Sequence, residues 1–163
     1  MNLEGSLIFP MCGDSVLLGR KMRGIGAGFW NGFGGKAESG ETIEEGALRE
    51  LEEEIGIVGA PADLVSAGVI DFHNTRDGED EIGFRVHIFI LKHWGGEPQE
   101  SEEMKSLTWF PLADLPLHEM RPADCEWMPA VFEGNIIQAD VTYAPDKTTL
   151  VGGVKMDVVG RWK

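Results

Sequence analysis

Between Glu41 and Glu54 the chain places seven glutamates against a single basic residue, Arg49. Glu41 stands three and four residues before Glu44 and Glu45, and Glu50 stands likewise before Glu53 and Glu54. On an isolated helix each such like-charged pair costs roughly 0.2–0.5 kcal/mol. A helix that needed only solubility would intersperse lysines. The pattern suits carboxylates gathered for a divalent cation. Carboxylate oxygens select hard ions, and Mg²⁺ takes a few of them together with waters and substrate phosphates. The chemistry to expect is a metal-assisted reaction of a small polyanion.

One helix must carry these groups. Thr42 followed three residues later by Glu45 has the form of a capping box, and Gly56 stands where a left-handed cap ends a helix. At about 100° per residue, with Ile43 at zero, Ala47, Leu51 and Ile55 fall near 40°, 80° and 120°, a stripe that faces the core. Glu50, Glu54 and Glu53 fall near −20°, 20° and −80°, beside that stripe, whereas Glu52 and Glu45 point away from it. Three carboxylates are expected to converge along the edge of the buried face, where water is partly excluded.

Length and charge bound the rest. At 163 residues the chain suits one compact domain, 1–163, with enough apolar content for a core. A net charge of −14 argues against a nucleic-acid polymer as partner, because that binding depends on Lys and Arg at phosphates. A cation bridging a small polyanion reverses the local sign and escapes this objection. No apolar run reaches membrane-spanning length, so no membrane partner is expected, and MNLEGSLIFP lacks the basic start of a signal peptide. Cys12 and Cys125 have no metal-motif spacing and read as free thiols, with the cytoplasm as the expected compartment. His73, His87, His93 and His118 show no ligand spacing either.

Strands are expected over Leu3–Phe9 and Ser15–Lys21 around a turn at Cys12–Asp14, then over Leu64–His73 and Phe84–His93 about a polar loop, Asn74–Glu81. A glycine-rich bend, Arg23 to Lys36, leads into the acidic helix. Leu107–Phe110 reads as a short strand and Ala123–Glu133 as a helix between Pro122 and Gly134. The last thirty residues read as a hairpin, Ile136–Tyr143 and Thr148–Val158, turning at Ala144–Lys147. Strands outnumber helices and the helices are interspersed, which predicts an α/β sandwich with a mixed sheet.

The acidic segment resembles the Nudix box, G-x5-E-x7-R-E-U-x-E-E-x-G-U, with U a bulky aliphatic residue. Gly35, Glu41, Arg49, Glu50, Leu51, Glu53, Glu54, Gly56 and Ile57 fill all nine fixed positions. The resemblance implies the Nudix fold, an α/β/α sandwich with a mixed β-sheet. It also implies hydrolysis of a nucleoside diphosphate linked to a further group, with Mg²⁺ or Mn²⁺ as cofactor. Gly35, Glu50, Glu53 and Glu54 would then serve the metal, with Glu53 as the base, and Arg49 would orient the glutamates. Glu103 in ESEEM matches a further family glutamate near the metals, with Glu100 and Glu102 as rivals for that position. A small-molecule nucleotide is the implied partner, acting on a monomer or small homo-oligomer.

Outside the box, RGIGAGFWNGFGGK, WFPLADLP and MRPADCEWMP are similar to the MutT-type enzymes that remove oxidised purine nucleoside triphosphates. That branch implies a purine-contacting Asn31, since an amide both donates and accepts. It places Lys36, Lys21, Gly34, Gly35 and Phe72 on the substrate side. The base pocket departs from the animal enzymes. Arg121 stands where they have a tryptophan, Ala123 where they have the first of two aspartates, and Ile25 where they have an aromatic, while Asp124 keeps the second aspartate. An arginine can stack on a base through its planar guanidinium, and loss of one aspartate removes a specific hydrogen bond. The expected reaction is hydrolysis of (oxidised purine) nucleoside triphosphates to monophosphate and pyrophosphate, as in 8-oxo-dGTP diphosphatases. Another nucleoside diphosphate derivative, such as a sugar nucleotide or dinucleoside polyphosphate, is the alternative substrate. A nucleotide sensor without turnover is the non-enzymatic alternative, which the intact glutamates disfavour.

Overall fold

A computed structural model describes residues 3–76 and 79–163. Met1–Asn2, at the head of the segment read for a signal peptide, and Asp77–Gly78, in the expected polar loop, lie outside the described residues. Among the described residues eight strands and two α-helices follow in the order β1 (Leu3–Cys12), β2 (Ser15–Lys21), β3 (Trp30–Asn31), α1 (Ile43–Ile55), β4 (Leu64–Arg76), β5 (Glu79–Leu91), β6 (Met104–Pro111), α2 (Asp124–Phe132), β7 (Asn135–Tyr143) and β8 (Lys155–Arg161). They build one mixed sheet in the order β3-β2-β1-β5-β4-β7-β8, with β6 paired to β2. β1 runs parallel to β5, and β4 parallel to β7.

Alternation along the strands makes two cores. Ile8, Leu17 and Phe89 pack with Ala47, Leu51 and Ile55 of α1. Their chain neighbours Phe9, Leu18 and Ile90 pack on the opposite side with Trp127 and Val131 of α2. Successive strand side chains point to opposite faces, so consecutive apolar residues require a cover on each side. This is the expected α/β/α sandwich. Each fully buried side chain of this size contributes about 1.5–3 kcal/mol.

The acidic helix starts and stops where its residues dictate. Thr42 Oγ1 accepts from the Glu45 N–H at 3.1 Å, and Glu45 Oε1 accepts from the Thr42 N–H at 3.2 Å. Gly56 adopts φ 74° and its N–H donates to the Glu52 carbonyl, which ends the helix. The buried stripe contains Ala47, Leu51 and Ile55 as expected, and Glu54 with them.

Two expected boundaries are corrected. The loop at Asn74–Glu81 is largely ladder, because Asn74 pairs with Glu81, Thr75 with Asp80 and Arg76 with Glu79. Ladder bonds are made by the backbone, so a polar stretch can continue a hairpin without an apolar pattern. The last strand begins at Lys155 rather than Thr148. Asp146 Oδ1 accepts from the N–H groups of both Thr148 and Thr149 at 2.9 Å, which holds a turn that competes with the ladder. Tyr143 still bridges Leu150, and pairing with β7 resumes only after Gly152–Gly153. Among the described residues no helix is long and apolar enough to cross a membrane.

Candidate active site

The glycine-rich segment after β3 lies between β1 and α1, and its glycines are there for space. A Cβ on Gly34 would lie 2.0 Å from the Ser6 carbonyl oxygen, and one on Gly35 would lie 2.7 Å from Cδ of Glu50. The chain can therefore pass close enough for the Gly34 N–H to donate to Glu54 Oε2 at 3.3 Å. Glu50 sits directly against Gly35.

Arg49 organises the carboxylates. Its Nε donates to Glu41 Oε2 at 2.7 Å and its Nη2 to Glu41 Oε1 at 3.1 Å, a two-pronged contact. Nη1 serves Glu50 at 3.1 Å and Glu53 at 3.2 Å, and Nη2 also donates to the Lys36 carbonyl. One planar fork with five donors can satisfy this many partners, which a lysine cannot. The contact also holds the Glu41 carboxyl below its usual pKa.

A cleft is lined by Leu7, Lys21, Arg23, Asn31, Gly32, Gly34, Glu54, Glu103 and Met104. Five residues singled out from sequence, Lys21, Asn31, Gly34, Glu54 and Glu103, thus share one wall of the molecule, and Glu50 lies behind them against Gly35. Glu54 is 7% exposed. Burial first, and then the charges of Glu50 and Glu103, push its carboxyl up to about 8. Burial likewise raises Glu50, with Glu53 and Glu103 adding to the effect. These acids sense one another, and a divalent cation would relieve that repulsion. Among the described residues no three His, Cys, Asp or Glu side chains are drawn close enough together to hold a metal ion by themselves. An oxygen donor set open to water and phosphate still fits Mg²⁺, which is seldom held by protein alone.

Glu53 departs from the expected partial shelter. Its side chain is 59% exposed and touches Arg49. Its position, about 80° from Ile43 on the far side from the core stripe, turns it past the edge of the buried face. The Lys36 side chain is exposed and outside the cleft. Phe72 pairs with Phe84 and Val141 in the sheet and packs on the α2-side core. Asp124 is buried at the start of α2, where Oδ1 accepts from Trp127 Nε1 at 3.0 Å and Oδ2 has no hydrogen-bond partner. Burial raises its carboxyl to about 6, opposed by the Arg121 charge. The Arg121 guanidinium lies 4.3 Å over the Tyr143 ring and donates to the Lys147 carbonyl at 2.7 Å. It stacks within the protein.

Arg23 was not anticipated. Its Nη2 donates to Glu103 Oε1 at 3.0 Å, and the Met22 N–H donates to the Glu103 carbonyl. Of the rival acids, Glu103 lines the cleft, whereas Glu100 is occupied with the Ser106 N–H. A second cation two residues beyond Lys21 was the available signal for Arg23.

The model of the NUDIX domain matches residues 2–131. The chain belongs to the Nudix family. It is 44% identical over 128 residues to the oxidized purine nucleoside triphosphate hydrolase of Mus musculus, covering 78% of each chain. The corresponding Danio rerio protein is 46% identical over 128 residues, again with 78% of each chain covered. Among solved structures, a mutator MutT protein from Bacillus halodurans superposes with a TM-score of 0.81 at 26% identity, over 95% of this chain and 97% of the other. The match shows that the Nudix fold, a mixed sheet with two helices, is the one built here. Nudix hydrolases generally require a divalent metal, so the Nudix helix α1 is the place to look for its effect.

In metal-free buffer Glu54 makes the fold pH-sensitive. A carboxyl raised from 4.5 to about 8 keeps its proton in the folded state where the unfolded chain has lost it. Stability therefore falls as pH rises across that window, by up to about 1.4 kcal/mol per unit. We expect Glu54→Gln to flatten this slope and to melt above the parent at pH 8 in EDTA. Mg²⁺ should raise the parent Tm with occupancy, and Glu54→Gln should lose that shift. Glu52 is exposed, so Glu52→Gln should keep both slope and shift. Melting curves in EDTA and Mg²⁺ across pH 5–8.5, roughly the interval bracketing these values, check all three, and equal loss in both variants would refute the helix phase.

Proposed function

We propose that the protein is a Mg²⁺-dependent pyrophosphohydrolase of oxidised purine nucleoside triphosphates, releasing the monophosphate and pyrophosphate. The observation that carries this reading is a single cleft in which the acids Glu54 and Glu103 face the cations Lys21 and Arg23 beside the amide of Asn31. The names of the mouse and zebrafish relatives support the substrate class. Glu50, Glu53, Glu54 and Glu103, with the Gly35 carbonyl, would hold Mg²⁺ or Mn²⁺. Such an ion supplies charge neutralisation and Lewis acidity toward the phosphate chain.

The other steps fall to the protein's own groups. Glu53, kept in place by Arg49, takes the proton of the attacking water as its oxygen bonds to phosphorus and the anhydride bond breaks. Lys21 and Arg23 carry the cationic side of the cleft, and Lys36 approaches the phosphates from solvent. Asn31 Oδ1 already accepts from the Gly32 N–H at 2.8 Å, so its NH₂ is the free donor for a purine acceptor. Asp124 Oδ2, which has no hydrogen-bond partner, would be the second polar contact for the base, whereas Phe72 packs on the α2-side core and Arg121 is held on Tyr143.

A panel of oxidised and normal NTPs, sugar nucleotides and dinucleoside polyphosphates tests the reading, scored by kcat/KM from phosphate release with added pyrophosphatase. Purine triphosphates are expected to lead, with and only with Mg²⁺ or Mn²⁺. Preference for oxidised over normal guanine should be blunted, because the Ala123 side chain has no hydrogen-bonding group and Arg121 is engaged with Tyr143. Arg121→Trp with Ala123→Asp is expected to gain roughly tenfold to a hundredfold on the oxidised purine, the equivalent of 1–3 kcal/mol from stacking and hydrogen bonding. A uniform gain on dGTP would mean better stacking alone. Equal turnover of purine and pyrimidine triphosphates would move the sugar-nucleotide alternative ahead.

A further inference from the structure

The helix α2 that carries Asp124 begins without local reinforcement. Its N-cap, Ala123, has αR backbone angles and makes no side-chain cap. Cys125 Sγ donates to the Leu117 carbonyl at 2.9 Å and ties the Leu117–Glu119 turn to the helix, and two residues unused by the chemistry tie that turn to the sheet. Arg20 Nη2 donates to Glu119 Oε1 at 2.6 Å, and its Nη1 donates to the Gly28 carbonyl at 2.9 Å. The same guanidinium stacks over the Trp30 ring, 4.5 Å from its centroid. The second Glu119 oxygen accepts from Trp30 Nε1 at 3.3 Å. Both carboxylate oxygens and one face of the guanidinium are therefore committed.

What this strap joins gives it meaning. Arg20 is paired with Trp30 in the sheet, and the next pair is Gly19 with Asn31. Glu119 stands five residues before Asp124. One end of the strap thus fixes the strand bearing Asn31, and the other fixes the entry to the helix bearing Asp124. A free surface ion pair loses much of its effect to side-chain entropy and solvent. Stacking on a buried indole and a two-oxygen contact reduce that loss by leaving the pair one orientation.

We propose that Arg20 and Glu119 are positioning residues that set the separation of Asn31 and Asp124, and through it the selection of purine bases. This rests on the purine-triphosphate reading above. Small displacements of binding groups carry large kinetic penalties. Arg20→Leu and Glu119→Leu are each expected to raise KM for dGTP about tenfold while kcat at saturation moves less than about twofold, because the carboxylates of α1 are not displaced. KM for dCTP, which makes little use of the purine contacts, should stay near the parent value. The double variant should be no worse than either single, since residues in one network are not additive. Glu119→Gln, which keeps the side-chain shape and one of the two acceptors but turns the other into an NH₂ donor, should give the same change in smaller measure and guards against a folding failure of the leucine variants.

Steady-state kinetics on dGTP and dCTP with Tm measured in parallel decide the matter. A rise in KM for both nucleotides together, or additive effects in the double variant, would reduce the strap to general stability and overturn the proposal. A purine-preferring parent whose preference survives in both leucine variants overturns the strap alone. A parent that does not distinguish dGTP from dCTP overturns the purine reading and the strap with it.

Discussion

Glu53→Gln is expected to fold like the parent and to lose between about 10² and 10⁴ in kcat/KM, the usual cost of removing a general base. The Glu53 side chain is 59% exposed, and its polar contact is with Arg49. Substitutions at such positions change stability by about 0.5 kcal/mol or less. Glutamine keeps the length and shape of the side chain, so the helix and its neighbours need not move. What disappears is an oxygen able to take a proton and one negative charge beside the cleft. Urea midpoints and kcat/KM at saturating Mg²⁺ separate the two effects. Retention of more than about a tenth of the parent kcat/KM would remove Glu53 from the base role and turn attention to Glu103, which lines the cleft together with Lys21.

Arg49→Met should act on stability and activity together. Arg49 touches Glu41, Glu50 and Glu53 and the Lys36 carbonyl. The Arg49 side chain is 24% exposed, and those of Glu41 and Glu50 are 19% exposed. Breaking several ion pairs at one guanidinium is expected to lower Tm more than the loss of an isolated surface pair would. Most of that cost is the charge left behind without a partner, above all on Glu50, whose carboxyl burial already raises. Mg²⁺ should therefore restore part of the lost Tm in Arg49→Met, more than it adds to the parent. Arg49→Lys keeps the charge but not the fork, and should fall between the two. Activity should drop at least about a hundredfold in Arg49→Met, since Glu50 and Glu53 lose their orientation. A variant with parental Tm in EDTA and parental kcat/KM would show that the arginine only decorates the surface.

Much of this was legible without coordinates. The span, cap and stop of α1 follow from Thr42, Glu45 and Gly56, whose preferences are local and act within a single turn. The inward face of that helix follows from a 3.6-residue period, which places Ala47, Leu51 and Ile55 against the sheet. Paired apolar residues such as Ile8 with Phe9 and Leu17 with Leu18 announce a sheet covered on both faces. Membership of the Nudix family follows from spacing in one segment.

Other features required the chain to meet itself. Angles on an ideal wheel set Glu53 beside Glu50 and Glu54, yet only the packing of α1 against Gly34 and Gly35 buries Glu54 and leaves Glu53 in water. The polar stretch around Thr75 and Asp80 continues a hairpin because ladder bonds belong to the backbone and carry no side-chain signature. Arg121 could have faced a base, and Tyr143, which follows it by 22 positions in the chain, draws it aside. The contacts of Arg20 with Glu119 and of Arg23 with Glu103 join residues 99 and 80 positions apart. Local order in a sequence is set by steric and hydrogen-bonding preferences within a few residues. Which distant charges become partners is set by where the sheet brings strands together, and only the folded chain decides that.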